Sequence, residues 1–181
     1  MPTLECQFKN QRLDNDYELV SGVAMHAEHG EQFQIPPAVL RKYVAVGQFV
    51  ELRIDSPRFS VHEDTLEKCF CPTCNSEATK PILRHDNPAS LVHIPRQDIP
   101  ARGWGEDFWL QVTGRDEKFL KGKVDNPLYE ARLHGLNAGD EIVFHEDHIL
   151  SIHDIHRQEL VFGMDDADLK QFVQWLGSQK K

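Results

Sequence analysis

The 181-residue chain lacks a membrane-spanning run: no apolar stretch approaches the ~18–20 residues such a helix needs. Its first residues, Met1-Pro2-Thr3-Leu4-Glu5-Cys6, contain no basic segment followed by an apolar one, so no secretory signal is expected. Positive charge is also scarce. Twenty Lys and Arg face 29 Asp and Glu, and the net charge of −9 repels phosphates, which argues against nucleic acid or an anionic membrane as partner. The glycine signatures of common catalysts are missing too. There is no Gly-x-Ser-x-Gly elbow and no phosphate loop, and Gly103-Trp104-Gly105 lacks the third glycine of a dinucleotide fingerprint. The expectation is an acidic cytoplasmic protein whose partner is a protein or a small molecule.

Cysteine is sparse but clustered. Of four, Cys6, Cys69, Cys71 and Cys74, three fall within six residues. A disulfide framework would spread its cysteines to close long loops, so the cluster points to metal or thiol chemistry. Cys71-Pro72-Thr73-Cys74 has the spacing of a metal knuckle, in which two thiolates of one tight turn reach one ion. A tetrahedral Zn²⁺ needs two further ligands. Cys69 supplies one and His85 the other, with His62 and then Cys6 as competitors. Cys-Pro-Thr-Cys also resembles a dithiol redox motif, but only residues 75–80 separate it from Pro81, too few for the activating helix. Unliganded thiols in a loop are the remaining reading.

Prolines 57, 72, 81, 88, 95 and 100 divide the middle of the chain and forbid long helices or central strands there. Such a stretch buries little apolar surface and needs a staple. On either side the pattern is β-rich. Residues 17–24 and 48–54 carry β-branched and aromatic residues, the second in clean alternation, with a short helix between them introduced by Pro36-Pro37 and ended before Gly47. Beyond the prolines, 108–113 and 119–124 form a hairpin around Gly114-Arg115-Asp116, and 141–144 is a further strand. Leu169, Phe172, Val173 and Leu176 recur at helical spacing, with Asp165 or Asp166 as cap and Gly177 as stop. Both β stretches place a turn glycine, Gly47 or Gly139, before an alternating strand, a rhythm compatible with a duplicated module.

Histidines form a second cluster. His145-Glu146-Asp147-His148 and His153-Asp154-Ile155-His156 bring four imidazoles and neighbouring carboxylates into twelve residues. A metal hydrolase would place His-Glu-x-x-His on a helix; here the spacing is one residue short and follows a strand. The competing reading is a solvated acidic turn region that responds to pH. His26 and His29 pose the same choice. Trp104, Phe108, Trp109 and Phe119 form either an aromatic platform or one face of a core.

Phe108-Trp109-Leu110-Gln111-Val112, then Gly122-Lys123-Val124-Asp125-Asn126-Pro127, then Leu136-Asn137-Ala138-Gly139-Asp140-Glu141-Ile142-Val143-Phe144 with Ile149, resembles the bacterial domain of unknown function 2314. The resemblance covers about a third of the chain and implies a small β-rich module and no reaction. Residues 33–42 with 46–52 are similar to the swapped-hairpin transcription factors of the AbrB type, which use a basic DNA-facing surface that this chain lacks.

The expected architecture is α+β and mainly antiparallel β: two small β-barrel-like modules, 1–55 and 103–181, a proline-rich zinc-knuckle connector over 56–102, and a C-terminal helix. The expected function is non-enzymatic binding or interaction, with a structural Zn²⁺ on Cys69, Cys71, Cys74 and His85. The alternatives are a metal-dependent hydrolase using His145, His148, His153 and His156 with Asp147 or Asp154, and an AbrB-like DNA-binding protein.

Overall fold

The computed structural model describes residues 2–56, 105–129 and 131–179. Thr3 opens helix α1 (Leu4–Asn10), its hydroxyl accepting the Cys6 N–H at 3.2 Å. After β1 (Glu18–Leu19), Ser21 caps α2 (Gly22–His29) by accepting the Ala24 N–H at 3.2 Å. The stretch 17–24, read from its composition as one strand, is therefore strand only at its start. The serine cap diverts the rest into helix, showing how a local side-chain bond overrides β propensity.

Pro37 is the N-cap of the single-turn α3 (Ala38–Arg41), which feeds β2 (Phe49–Asp55) through Gly47. Gly47 and Gly139 have φ of +92° and +93°, a conformation that L side chains resist, and each directs the chain into a strand. The second half contains β3 (Glu106–Asp116), β4 (Phe119–Val124), α4 (Ala131–His134), β5 (Glu141–His145), β6 (Ser151–Ile152), α5 (Arg157–Gly163) and α6 (Asp166–Ser178). The β3–β4 turn falls at Glu117 and Lys118, three residues later than Gly114 suggests. Gly114 instead follows a bulge after Val112.

All strand pairs are antiparallel, in the order β1-β2-β3-β4-β5. The edge of β2 away from β3 is shared. Val50 and Glu51 pair with Ile152 and Ser151 of β6, and Ile54 and Asp55 with Leu19 and Glu18 of β1. β6 returns the chain after β5 to β2, so the sheet is nearly closed and barrel-shaped. The protein is α+β with mainly antiparallel β structure.

Period-two alternation puts Val50, Leu52 and Ile54 of β2 wholly inside. They meet Phe108 and Leu110 of β3, Leu120 of β4, and Ile142 and Phe144 of β5 in one core cluster, each side chain contributing roughly 1.5–3 kcal/mol. The strands on either side of the proline-rich stretch belong to one sheet and share this core, where the sequence suggested a β module on each side. The reason is area: β1 and β2 alone bury too little, and three or more strands are needed to close a face. Gly122 lets β3 and β4 approach, because a Cβ there would stand 2.2 Å from Leu110 Cδ1.

Candidate functional site

The histidine segment follows directly from β5. The strand ends in a 3-10 turn over Glu146–His148, passes through β6, and enters a second such turn over Asp154–His156. Each turn begins with a histidine acting as its own cap. His145 Nδ1 accepts the Asp147 N–H at 3.2 Å, and His153 Nδ1 accepts the Ile155 N–H at 3.3 Å. His148 Nδ1 accepts the His145 N–H at 3.0 Å. His148 Nδ1 also stands 3.1 Å from the His145 carbonyl, and His145 Nδ1 lies 3.3 Å from the Asp147 carboxylate, so each Nδ1 faces polar groups of its own turn. His156 Nδ1 donates instead, to Glu159 at 3.2 Å, while its ring stacks on Phe49 at 5.9 Å. The carboxylates are engaged as well: Asp147 with Arg41 at 2.8 Å and Asp154 with Arg157 at 2.6 Å. Among the described residues, no group of three His, Cys, Asp or Glu converges as a metal site requires. Burial pushes the His148 imidazole below its ordinary value, and the His145 ring adds to the effect.

What this segment builds is a polar anchor. Arg41, 6% exposed, donates to the Pro36 and Glu146 carbonyls and to Asp147. Arg115, on β3, donates to the Arg41 and Val44 carbonyls and meets Glu146 at 2.7 Å. Two guanidiniums and two carboxylates thereby pin α3 and the β3–β4 hairpin to the turn after β5. Buried His134 is likewise structural: Nδ1 accepts the Leu136 N–H at 3.0 Å and Nε2 faces Glu106 at 3.3 Å.

The other sequence candidates disperse. Cys69, Cys71, Cys74, His62 and His85 lie outside the described residues, as does Trp104. Cys6 is exposed on α1. The His26 Nδ1 bonds the Phe33 carbonyl at 2.6 Å, and His29 faces Glu28. Phe108 is core, Phe119 packs on Phe8 of α1, and Trp109 lies edge-on to His153, so among the described residues the aromatics form no single platform.

The feature absent from the sequence reading is an apolar groove of about 600 Å³. Ile35, Pro36 and Leu40 form one wall and Leu150 and Ile152 another. Leu160 and Val161 of α5, with Phe172, Trp175 and Leu176 of α6, complete it. Gln34, Ser151, Asp154 and Arg157 supply its polar contacts. Phe172 and Trp175 stack at 5.9 Å with their planes 17° apart. α6 is hung beside the groove by its first turn: Asp168 takes the Lys42 ammonium at 2.6 Å and the Tyr43 hydroxyl at 2.8 Å. A larger cleft of about 780 Å³ lies beside α1, bounded by Lys9, Arg12, Asp16 and Glu18. Charges of both signs share its lining with Phe8, Leu13, Tyr17, Leu19 and His148.

Mostly apolar walls with a few polar groups at the mouth are the usual make-up of a binding groove. α6 was legible from its 3.6-residue period, although it runs through Gly177 rather than stopping before it. The groove was not legible, because its walls come from four separated stretches. Compared with protein-family models, curated proteins and solved structures, the chain matches none.

Proposed function

We propose that this chain is a non-enzymatic binding protein that receives a partner in the apolar groove between α3, β6, α5 and α6. The carrying observation is the ten apolar side chains that line it. Burying such surface supplies about 25 cal/mol per Å², enough to drive association without any catalytic group. The histidine turns support the same reading, since Nδ1 of His145, His148 and His153 lies against the backbone of its own turn, as a capping side chain does. The DNA-binding reading is opposed by the net charge of −9.

The reading includes a structural Zn²⁺ held by Cys69, Cys71, Cys74 and His85. Its support is the ligand spacing and one topological fact. Ile54 pairs with Glu106, so the chain leaves and rejoins the sheet at neighbouring strand ends about fifty residues apart. Closing so long an excursion costs entropy that a four-coordinate ion offsets, and four protein ligands leave no position for a reacting water.

Two measurements test these statements. Elemental analysis of the purified protein should give one zinc per chain. Cys71→Ser or Cys74→Ser should lose that metal and open residues 62–87 to protease, while unfolding of the sheet stays cooperative. If His62 is the fourth ligand, His85→Ala retains zinc. Full protection of 62–87 in a verified metal-free variant would overturn the zinc statement. Turnover in a broad hydrolase screen that is lost in His148→Ala would overturn the non-enzymatic one.

A further inference from the structure

The cleft of about 780 Å³ beside α1 is a second recess, of a size that takes a small ligand. Two fixed elements wall it. On one side, Gln11 ties the end of α1 to the Val143 peptide through both ends of its amide, and the Phe8 ring lies 5.5 Å from Phe119 and 5.4 Å from His148. On the other side β1 contributes Glu18 and Leu19. β1 ends the strand order, and Val20 beside it donates to the Arg53 carbonyl at 2.9 Å. Alternation along an antiparallel strand therefore turns the N–H and C=O of Leu19 away from β2. No strand among the described residues pairs with that edge, which leaves it open to an extended chain.

The charges along the cleft divide into engaged and spare. Lys9 is held by Glu5 at 2.6 Å. Arg12 donates through one guanidinium nitrogen to the Lys9 and Gln11 carbonyls, at 2.8 and 2.6 Å, and no carboxylate among the described residues meets it. Its Nε and Nη2 remain for a ligand. Exposed Glu18 likewise has no cationic partner among the described residues. One spare cation and one spare anion complement a ligand that carries both signs. Such a molecule is neutral overall, so the net charge of −9 does not repel it as it repels an anion. Phe8, Leu13, Tyr17 and Leu19 add apolar lining, together with the His148 ring, which burial keeps uncharged at neutral pH.

We propose that this cleft binds a short apolar peptide with both termini free, its chain beside the edge of β1, its terminal carboxylate on Arg12 and its terminal ammonium on Glu18. A single amino acid carries the same two charges but has no internal amide to pair with Leu19, and an open strand edge recognises main chain. The site is independent of the groove and adds a second binding function to it.

Titrating the full chain with the tripeptide alanyl-leucyl-phenylalanine, read from backbone amide shifts in ¹⁵N spectra, tests this. The Leu13, Leu19 and His148 amides should move and saturate at submillimolar peptide. Amidating its C-terminus or acetylating its N-terminus should each weaken binding roughly two- to fivefold, the range for exposed charge pairs. Arg12→Gln should weaken the free peptide equally and make binding indifferent to amidation, and Glu18→Gln should do the same for acetylation. Both side chains are exposed, and a circular dichroism spectrum matching the wild type checks that the fold is kept. Free phenylalanine should bind about tenfold more weakly, for want of the main-chain bonds. Phenylalanine binding as tightly as the tripeptide would overturn the peptide assignment, and wild-type binding indifferent to amidation would overturn the role of Arg12. Shifts confined to Trp175 and its neighbours would move the peptide to the groove and overturn this site. The absence of any shift at millimolar tripeptide would overturn the site and leave the groove reading in place.

Discussion

Replacing Gln11 by alanine should destabilise the protein by about 2–3 kcal/mol, and the cause should be visible at one amide. Gln11 lies just beyond α1, 132 residues from Val143 in sequence, yet its side-chain amide pairs with the Val143 peptide as a neighbouring strand would. Its Nε2 donates to the Val143 carbonyl at 3.0 Å, and its Oε1 accepts the Val143 N–H at 2.8 Å. Val143 is 5% exposed, so water does not readily replace these bonds. Each lost bond costs roughly 1–1.5 kcal/mol once its buried partner is unsatisfied, and the two sum to the figure above. The freed peptide also opens the outer edge of β5, a template for pairing with another chain. Urea unfolding gives the energy, and hydrogen exchange gives the site: Val143 N–H should exchange slowly in the wild type and fast in Gln11→Ala. Gln11→Glu makes a sharper test. Its carboxylate accepts the N–H but opposes the carbonyl oxygen, so its stability deficit should shrink on acidification as that carboxyl protonates. A destabilisation below about 0.5 kcal/mol with unchanged Val143 exchange would show that this pairing does not hold the edge.

Glu146→Gln should cost about 2–4 kcal/mol by urea unfolding, because it leaves the partly buried Arg115 guanidinium without its counter-charge; Arg115→Met, which removes the other charge, should be milder in the Glu146→Gln background than alone. Gly122→Ala should lower stability by about 1–3 kcal/mol, since its Cβ would meet the Gln111 carbonyl at 3.0 Å as well as Leu110. His148 provides a pH test. Its imidazole is less basic folded than unfolded, so the unfolded chain takes up its proton first. The stabilisation is complete above the ordinary value of 6.5 and is lost as pH falls through the lower folded value. Urea midpoints measured from neutral to acidic pH should therefore fall more steeply for the wild type than for His148→Asn, and parallel curves would refute the assignment.

The local elements were legible where one period dominates. Residues 49–54 and 119–124 alternate, and the sheet buries the face that the alternation predicts, whereas Ile142, Val143 and Phe144 of β5 are all buried. Leu169, Phe172, Val173 and Leu176 repeat at helical spacing and lie on α6, with Asp165 as its cap. Such patterns are readable because neighbouring residues suffice to create them. The sequence likewise determined the acidic surface and the clustering of Cys69, Cys71 and Cys74, which no folding alters.

Contacts between distant residues were decided by the tertiary structure alone. Nothing near Phe49 or Gln111 announces that they pair, or that Gln11 will finish the edge of β5. The histidines show the difference most sharply. As a string, His145, His148, His153 and His156 look like a ligand set, because a string does not reveal which ring nitrogen is free. In the fold, Nδ1 of three of them meets a backbone N–H of its own turn, a capping contact that no spacing of histidines displays. The groove escaped notice for the complementary reason: Ile35, Ile152, Leu160 and Trp175 are ordinary apolar residues until four segments bring them together. A hydrophobic residue is selected for burial by its own chemistry, but whether its neighbours cover it completely or leave a recess depends on how distant segments meet.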